Sequence, residues 1–379
     1  MNISFSATNP CHVWPTARAV AQEGVRGIFY SGYPVRKLPD ADARNIRSHS
    51  LRTNIVYGLL KYIPEPLRPS SRNLFLWQDR GLDRWISRHL EPCDFIHAMP
   101  GQALETFQAA KRAGIRTVLN HATGPVRDWI RIMEPEYQRV GLKLEKVCPY
   151  DSEYLAREDE EYALADFHCV ASTVVRDQLV GLGIPAERIW MVPYGADTNA
   201  RVFQRAQNPS PPPIFRILFA GQISLRKGIR TLLDALTLAN RAHWKMDFIG
   251  SRSSETAKDI AAYRGATALN FHGALPQQRL ARAMRESSVL VLPSLEEGFG
   301  LVVPQALNCA CPCIVSDRVG GHDYVRHREN GSIFPVGDPA ALTAELEWWE
   351  AHPARPVENF TWTPGARTLI ANSQAVLNS

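Results

Sequence analysis

The stretch Leu292-Pro-Ser-Leu-Glu-Glu-Gly-Phe-Gly-Leu-Val-Val-Pro-Gln-Ala-Leu307 decides how the rest of the chain is interpreted. It follows the apolar run Val289–Leu292, which is typical of a buried strand, and it predicts a loop and then a helix. A helix amino terminus offers free N–H groups and a positive dipole end, which suit a phosphate or a sugar hydroxyl. Gly298 and Gly300 allow close approach of the backbone, and the carboxylate of Glu297 can accept hydrogen bonds from two sugar hydroxyls. The alternative is an ordinary strand–turn–helix connection, because a lone Gly-x-Gly loop is a weak signal.

Short apolar runs alternate with longer amphipathic ones on both sides of this stretch, which predicts an α/β protein with parallel sheets. In the first half, strands are predicted at residues 3–7, 27–30, 95–97, 117–120, 167–170 and 190–192. In the second half, they are predicted at residues 217–220, 246–249, 268–271, 289–292, 313–315 and 332–334. Helical patterns separate these runs.

The length of 379 residues favours two domains. A proline-rich stretch at 204–213 predicts a semi-rigid linker, since consecutive prolines resist helix formation. We therefore expect one doubly wound domain at 1–203, a second at 214–361, and a helix at 362–379 that returns to the first. Two such Rossmann-like domains face each other across a cleft, where the carboxyl ends of the strands bind ligands.

Composition excludes several classes of protein. Apolar residues make up 45% and charged residues 21%, as in globular proteins, and the apolar runs are far shorter than the ~20 residues that span a bilayer. The amino terminus lacks the pattern of a secretory signal, and seven scattered cysteines favour reduced thiols. We expect a cytoplasmic protein. The cluster Cys309-Ala-Cys311-Pro-Cys313 is interpreted as core packing, not as a metal site.

Five motifs, in order, resemble those of the family-4 retaining glycosyltransferases (glycosyl transferases group 1). They are Val192-Pro-Tyr-Gly-Ala-Asp197, Gly221-Gln-Ile-Ser-Leu-Arg-Lys-Gly228, Pro293-Ser294 with Glu297-Gly-Phe-Gly-Leu301, Ser316-Asp-Arg-Val-Gly-Gly321, and Asn330-Gly-Ser-Ile-Phe-Pro-Val-Gly-Asp338. The resemblance covers most of residues 167–340, whereas the first 90 residues match only as a generic fold. It implies the GT-B architecture, with the carboxyl-terminal helix crossing back to the first domain.

The resemblance also implies roles for individual residues. Lys227, with Arg226 beside it, would neutralise the leaving diphosphate, and Glu297 would hold the transferred sugar. His121, at the end of a predicted strand, would face that sugar from the first domain, although a histidine there is more often a structural hydrogen-bonding group. The remaining implied contacts are the backbone of Gly298, Phe299, Gly300 and Leu301 with sugar and phosphate oxygens, and the main chain around Gly273 and Leu275 with the base.

Three positions depart from the family pattern. One is the acid after the Gly-Gly pair, where Gly320-Gly-His-Asp-Tyr324 offers His322 and Asp323 instead. Gln222 stands where the family has an arginine, so one diphosphate cation is missing unless Arg226 replaces it. Gln305 stands where a glutamate contacts the ribose, and an amide still bonds a hydroxyl, without the strength of a charge. Retention in this family resembles a front-face substitution in which the leaving phosphate takes the acceptor proton. No cofactor and no metal are therefore expected.

The acceptor side is predicted in the first domain. Residues 36–88 hold eleven Lys or Arg against five acids, interleaved with aromatic and aliphatic side chains. This composition suits an anionic membrane surface or a lipid-linked acceptor, and the alternative is solvated helix faces over an ordinary core. No nucleic-acid-binding module is recognised. In the loop after the first strand, His12 and Trp14 are candidates for acceptor contact, Trp14 by stacking on a sugar, or else the loop packs on its own domain.

The sequence therefore predicts a retaining glycosyltransferase that moves a sugar from a nucleoside diphosphate sugar to a sugar or glycolipid acceptor, in surface glycan or polysaccharide synthesis. Peripheral association with the inner face of an anionic membrane is an open alternative to a fully cytoplasmic protein. Two other functions also stay open: a nucleotide-sugar-binding scaffold subunit with degenerate chemistry, which Gln222 and Gln305 would suit, and a nucleotide-sugar epimerase on the same fold.

Overall fold

The structure is a computed structural model that contains two parallel α/β sheets. It describes residues 1–38, 42–63, 67, 71–148, 150–196, 202–204 and 212–379. Most of the predicted linker, residues 205–211, lies outside the described residues. The seven-stranded first sheet ends at Met191 and the six-stranded second sheet begins at Arg216, so the sheets separate where the linker is predicted. The exact domain boundaries stay predictions.

The first sheet has the strand order β3-β2-β1-β4-β5-β6-β7, all parallel among the described residues. Its strands are β1 (Ile3–Ala7), β2 (Phe29–Ser31), β3 (Ile46–Ser48), β4 (Phe95–Ala98), β5 (Arg116–His121), β6 (Phe167–Val170) and β7 (Ile189–Met191). Its helices are α1 (Val13–Gln22), α2 (Leu51–Tyr62), α3 (Ser71–His89), α4 (Leu104–Arg112), α5 (Val126–Arg139), α6 (Leu144–Val147), α7 (Ser152–Leu164) and α8 (Thr173–Gly181).

The second sheet has the order β10-β9-β8-β11-β12-β13 and is also parallel in the described residues. Its strands are β8 (Arg216–Ala220), β9 (Lys245–Ile249), β10 (Ala268–Phe271), β11 (Val289–Leu292), β12 (Cys313–Ser316) and β13 (Gly331–Phe334). Its helices are α9 (Ile229–Ala239), α10 (Ala257–Ala262), α11 (Gln277–Glu286), α12 (Val302–Asn308) and α13 (Pro339–Ala351).

The second sheet is covered by helices on both faces, which is why its central strands are continuous apolar runs. All four residues of Val289–Leu292 are fully buried, as a strand in the middle of such a sheet requires. Cys309, Cys311 and Cys313 are buried inside the same core, so the packing interpretation of this cluster is confirmed.

The last helix, α14 (Thr363–Asn378), returns to the first domain and packs on α1. Ala366 and Leu369 are buried in the core of the first domain, and Arg367 forms an ion pair with Glu23 at 2.9 Å. The returning helix that the sequence predicts is therefore confirmed. Among the described residues no helix combines the length and the apolar character that crossing a bilayer requires.

The strand predictions agree with the structure, with shifts of one or two residues at the ends. The exception is β3, a three-residue edge strand too short to stand out as an apolar run. The sequence indicates only a basic segment around it, residues 36–88, and the structure places helices α2 and α3 there.

A buried carboxylate on α7 holds the loop between β4 and α4 in place. Glu161 is fully buried and accepts hydrogen bonds from the backbone N–H groups of Gly101, Ala103 and Leu104, at 2.6, 3.0 and 3.1 Å. Its carboxylate also lies 3.2 Å from Nε of Arg157. It therefore fixes the start of α4 against α7.

We predict that Glu161→Ala lowers the free energy of unfolding of the first domain by about 3–5 kcal/mol, because it leaves three backbone N–H groups without an acceptor and removes one of the three carboxylates around Arg157. Thermal and urea unfolding measure the change. Glu160→Ala, an exposed position on the same helix, is the matched control and should alter stability by less than about 0.5 kcal/mol. Equal stability of the two variants would contradict the prediction.

Candidate functional site

The loops that carry the predicted site lie at the switch point of the second sheet. Chain order runs outward from β8 through β9 to β10, and on the other side from β11 to β13, so the crossovers diverge between β8 and β11. Ligands of open parallel sheets bind at the carboxyl ends of strands at such a point. The two loops that flank it are residues 221–228 after β8 and residues 293–301 after β11.

These two loops touch each other through their backbones. Gly228 has a positive φ of 68°, and a Cβ there would lie 1.8 Å from the carbonyl oxygen of Pro293, so only glycine fits. The N–H of Leu295 donates to the carbonyl oxygen of Arg226 at 2.8 Å. The contact brings the basic end of one loop beside the acidic part of the other.

Four charged side chains meet at this contact. The Arg226 guanidinium lies 3.2 Å from a carboxylate oxygen of Glu296 and 3.3 Å from one of Glu297, and the Lys227 ammonium forms an ion pair with Glu297. The side chains of Lys227 and Glu297 are only 12% and 13% exposed. Burial and the charge of Arg226 lower the pKa of Lys227 to about 7, and Glu296 opposes this shift. The predicted diphosphate and sugar residues therefore form one network.

The glycine loop is held directly against the first domain. A Cβ on Gly298 would lie 2.5 Å from both the carbonyl oxygen of Ala122 and the Cα of Thr123. The Ser172 hydroxyl donates to the carbonyl oxygen of Gly298 at 2.6 Å. The absence of a side chain at position 298 thus serves the contact between the domains.

Stacked rings extend this contact. Tyr194 stacks on His12 with ring centroids 4.7 Å apart and meets the edge of Phe299 at 5.0 Å. The Tyr324 hydroxyl donates to the carbonyl oxygen of Tyr194 at 2.7 Å. Phe299 is 3% exposed, so its side chain is part of the seam between the domains.

Backbone surrounds the position predicted for the base. A Cβ on Gly250 would lie 1.8 Å from the carbonyl oxygen of Gly221, and the Gly250 N–H donates to the carbonyl oxygen of Gly273 at 2.8 Å. Gly273 is exposed, and a Cβ on it would meet nothing within 4 Å. Leu275, which follows it, is half-buried. The carboxyl ends of β8, β9 and β10 therefore present main chain with room beside it.

The other predicted positions of the second domain lie at the same edge. Gln222 is exposed directly after Gly221, and Gly300 has a positive φ of 81°. Leu301 precedes α12, and Gln305 is half-buried on that helix. Their roles toward a ligand stay predictions.

His121 lies inside the first domain. Its ring is 1% exposed, and its Nε2 lies 3.0 Å from Nδ1 of His168. Burial lowers the pKa of His121 well below its usual value, so the ring is neutral at pH 7. The structure gives it a hydrogen-bonding partner in its own domain, and its predicted contact with the sugar stays a prediction.

The burial of Trp14 agrees with the alternative that the loop after β1 packs on its own domain, and its contact with a sugar stays a prediction. The loop after β1 is short and α1 begins at Val13, so Trp14 points into the core and packs edge-on against Phe29 at 4.8 Å, with 5% exposure. His12, just before α1, is also buried. It contacts Tyr194 at the seam between the domains instead of lining an open cleft.

Sequence reasoning missed the residues that join the domains. The Thr173 hydroxyl and N–H both donate to the carboxylate of Asp323, at 2.6 and 2.7 Å. The sequence also does not indicate that Ser172 and Tyr194 join the domains, although Tyr194 lies within the motif Val192-Pro-Tyr-Gly-Ala-Asp197. Only the spatial pairing of residues about 150 positions apart reveals these roles. In the described part of the chain, no three His, Cys, Asp or Glu side chains are grouped as metal ligands.

Residues 201–360 match the sequence model of the family described as Glycosyl transferases group 1. A lipopolysaccharide 1,6-galactosyltransferase of Escherichia coli is 26% identical over 199 residues, which cover 49% of this chain and 53% of that protein. A D-inositol 3-phosphate glycosyltransferase of Streptomyces coelicolor is 30% identical over 209 residues, with coverage of 49% and 46%. The chain spans about half the length of these curated relatives.

Solved structures match along the whole chain. Sucrose-phosphate synthase of Thermosynechococcus elongatus has a TM-score of 0.62 at 20% identity and covers 99% of this chain and 94% of its own. Anabaena HepE in complex with UDP-glucose has a TM-score of 0.60 at 15% identity, with coverage of 100% and 98%. The fold is GT-B, and the second domain, at residues 201–360, matches the glycosyl transferases group 1 family.

We predict that Gly298→Ala separates the two domains, because the added methyl group would overlap the main chain of Ala122. Small-angle scattering should show a larger radius of gyration, and the loss of packing should be worth about 1–3 kcal/mol. Gly58→Ala is the control, since a Cβ there meets nothing within 4 Å. An unchanged radius and an unchanged melting temperature for Gly298→Ala would refute the close contact.

Proposed function

We propose that this protein is a retaining glycosyltransferase that transfers a hexosyl group from a nucleoside diphosphate sugar to a hydroxyl of a sugar or glycolipid. The observation that carries the proposal is the meeting of Arg226, Lys227 and Glu297 at the switch point of the second sheet. The similar protein HepE of Anabaena binds UDP and UDP-glucose in its solved structures, so a uridine diphosphate sugar is the first donor to test.

The charges fit the two parts of such a donor. A diphosphate would take the cations Arg226 and Lys227, while the carboxylate of Glu297 would accept hydrogen bonds from sugar hydroxyls. Lys227 already contacts Glu297, so a diphosphate at Lys227 competes with that carboxylate for the ammonium group. Donor binding would therefore release Glu297 toward the sugar.

The proposed transfer is one substitution at the anomeric carbon. The acceptor oxygen forms a bond to this carbon on the face from which the diphosphate leaves, and the bond from carbon to phosphate oxygen breaks with its electron pair on the phosphate. The hydroxyl proton moves to the departing phosphate oxygen. Lys227 and Arg226 stabilise the negative charge that builds on the phosphate, which is where preorganised cations lower a barrier most.

An apolar stripe on α2 supports docking of the first domain to an anionic membrane. Leu51, Ile55 and Tyr62 are 65%, 42% and 75% exposed and lie on one face of the helix, opposite the buried Val56. Of the twelve large apolar side chains exposed in the described residues, six lie between 51 and 77. The basic excess of residues 36–88 complements anionic lipid headgroups.

Ion pairs reduce the positive charge of residues 36–88 that is available to lipid headgroups, which limits the contribution of this charge to membrane docking. Three arginines of the segment are paired with acids from outside it: Arg47 with Glu91, Arg80 with Glu153 and Arg84 with Glu105. The proposed docking therefore rests on the apolar stripe first and on the remaining charge second. In this proposal the enzyme works at an inner membrane face on the glycan of a lipid-linked acceptor.

Glu297→Ala should reduce turnover by about a hundredfold or more, because it removes the contact to the reacting sugar. Its affinity for UDP should stay similar or increase, since Lys227 loses a competing partner. Lys227→Ala should weaken both turnover and UDP affinity, because the diphosphate is present in the ground state and the transition state. Release of UDP from UDP-glucose and calorimetric binding of UDP measure the two quantities.

Lys258→Ala, an exposed lysine of the same domain, is the control and should behave like the parent. Gln305→Glu should be tolerated, because it introduces the carboxylate usual in the family. If both Glu297→Ala and Lys227→Ala turn over like the parent, the site is elsewhere. A parent protein that binds UDP but neither hydrolyses nor transfers the sugar would support the scaffold function instead.

For the membrane, we predict that the double variant Leu51→Ser/Ile55→Ser binds phosphatidylglycerol-containing vesicles at least about tenfold more weakly, since two aliphatic side chains no longer enter the interface. Co-sedimentation measures binding. Leu238→Ser, which is 60% exposed in the second domain, is the control. Binding of the parent should also fall with salt, as the Debye length shrinks below about 10 Å above 0.1 M. Equal binding of all three proteins would exclude this stripe.

A further inference from the structure

A cavity of about 350 Å³ lies in the first domain between α3 and α7, at the carboxyl ends of β4 and β5. We call it the α3–α7 cavity. Its polar lining includes the carboxylates of Asp79 and Glu158, and its ring surfaces come from Phe75, Tyr150 and Tyr154. Carboxylates beside aromatic faces suit a sugar, whose hydroxyls donate hydrogen bonds and whose C–H faces pack on rings.

The cavity reaches the candidate donor site through two contacts. Ala122 and Thr123, which line it, are the residues that touch Gly298 of the second domain. Burial raises the pKa of Tyr150. The charges of Glu296 and Arg226 also act on this pKa, so the Tyr150 hydroxyl lies in their neighbourhood. A molecule in the cavity would therefore lie beside the loop that carries Glu297.

Glu158 has capacity for further hydrogen bonds. It is 3% exposed, and its carboxylate accepts only long bonds, from the N–H of Val126 at 3.3 Å and the hydroxyl of Tyr162 at 3.4 Å. A carboxylate has about four acceptor positions, so hydroxyl donors can be added here. Asp79 on α3 is half-buried and lines the cavity opposite α7. Burial raises the pKa of both groups to about 7, so near neutral pH each can accept a hydrogen bond or donate one.

Positive charge is missing from the lining. Among the described residues that line the cavity, none is Lys, Arg or His. Arg157 lies on the same helix as Glu158, but its guanidinium is held by Asp83, Glu105 and Glu161. A phosphate in this cavity would face two acids without a counter-ion, in a site of low dielectric where like charges repel strongly.

We propose that the α3–α7 cavity binds the reacting residue of the acceptor, that this residue is an uncharged sugar or polyol held by Asp79 and Glu158, and that a phosphorylated one is rejected. This inference rests on the proposed transferase function, because it is the second substrate of that reaction. Any phosphate of a lipid-linked acceptor would then lie outside the cavity, at least one sugar away from the hydroxyl that reacts.

The test measures sugar binding directly, without turnover. Saturation-transfer NMR with saturating UDP is recorded for glucose, galactose, mannose and myo-inositol, and for glucose 6-phosphate, galactose 6-phosphate and inositol 3-phosphate. At least one neutral compound should bind, and its phosphorylated counterpart should bind at least about tenfold more weakly. Asp79→Asn and Glu158→Gln should each weaken the neutral ligand about tenfold or more, as expected for the loss of charged hydrogen bonds.

Glu158→Gln keeps an oxygen for the N–H of Val126, so its fold should be retained, and circular dichroism checks this. Glu160→Gln, the same change on the solvent face of α7, is the matched control and should bind like the parent. The proposal is overturned if no neutral compound binds, if a phosphorylated one binds as tightly as its neutral partner, or if both cavity variants bind like Glu160→Gln. Calorimetric binding of UDP is measured separately, and its failure counts against the proposed donor and not against the cavity.

Discussion

The contact of Gly298 with Ala122 and Thr123 is the constraint on which the candidate site depends. Because residue 298 is a glycine and has no Cβ, the loop that carries Glu297 can lie directly on the loop that follows β5. The hydrogen bond from Ser172 to the Gly298 carbonyl oxygen fixes the same point from β6. A donor held by the second domain and an acceptor held by the first would meet only across this contact. Glycine at position 298 therefore sets the distance between the two domains, in addition to the shape of one loop.

The second domain could be predicted closely from the sequence. Its central strands are buried apolar runs such as Val289–Leu292, and the loops that follow them carry the motifs, so the apolar pattern and the motifs indicate the same positions. The meeting of Lys227 with Glu297, 70 positions later, follows from a parallel sheet whose switch point lies between their strands. Short-range pattern and long-range topology agree in this half of the molecule.

The first domain could be predicted only in outline, for physical reasons that particular residues make clear. Trp14 stands in a segment whose loop-like composition hides the first turn of α1, and tertiary packing against Phe29 decides its position. β3 is too short to produce an apolar run. Asp79 and Glu158 lie on separate helices, and nothing local in the sequence indicates that they share a cavity. The charge counted along the sequence overestimates the unpaired positive charge of residues 36–88, because Arg47, Arg80 and Arg84 form ion pairs with acids outside this segment.

The distribution of charge around the Gly298 contact gives the two domains different ligand preferences. On one side Arg226 and Lys227 supply cations beside the carboxylates of Glu296 and Glu297, and on the other Asp79 and Glu158 line a cavity whose described walls hold no cation. A diphosphate would be attracted to the first side and repelled from the second, so the proposed nucleotide sugar would have one favourable orientation, with its phosphates in the second domain. An uncharged sugar experiences no such bias, and the hydroxyl acceptors of the α3–α7 cavity are then enough to hold it. Electrostatics of this kind gives specificity by repulsion as well as attraction, which requires that both sets of charges stay partly desolvated. The close contact at Gly298 brings the two sites together, and the side chains of Lys227, Glu297 and Glu158 are only 12%, 13% and 3% exposed.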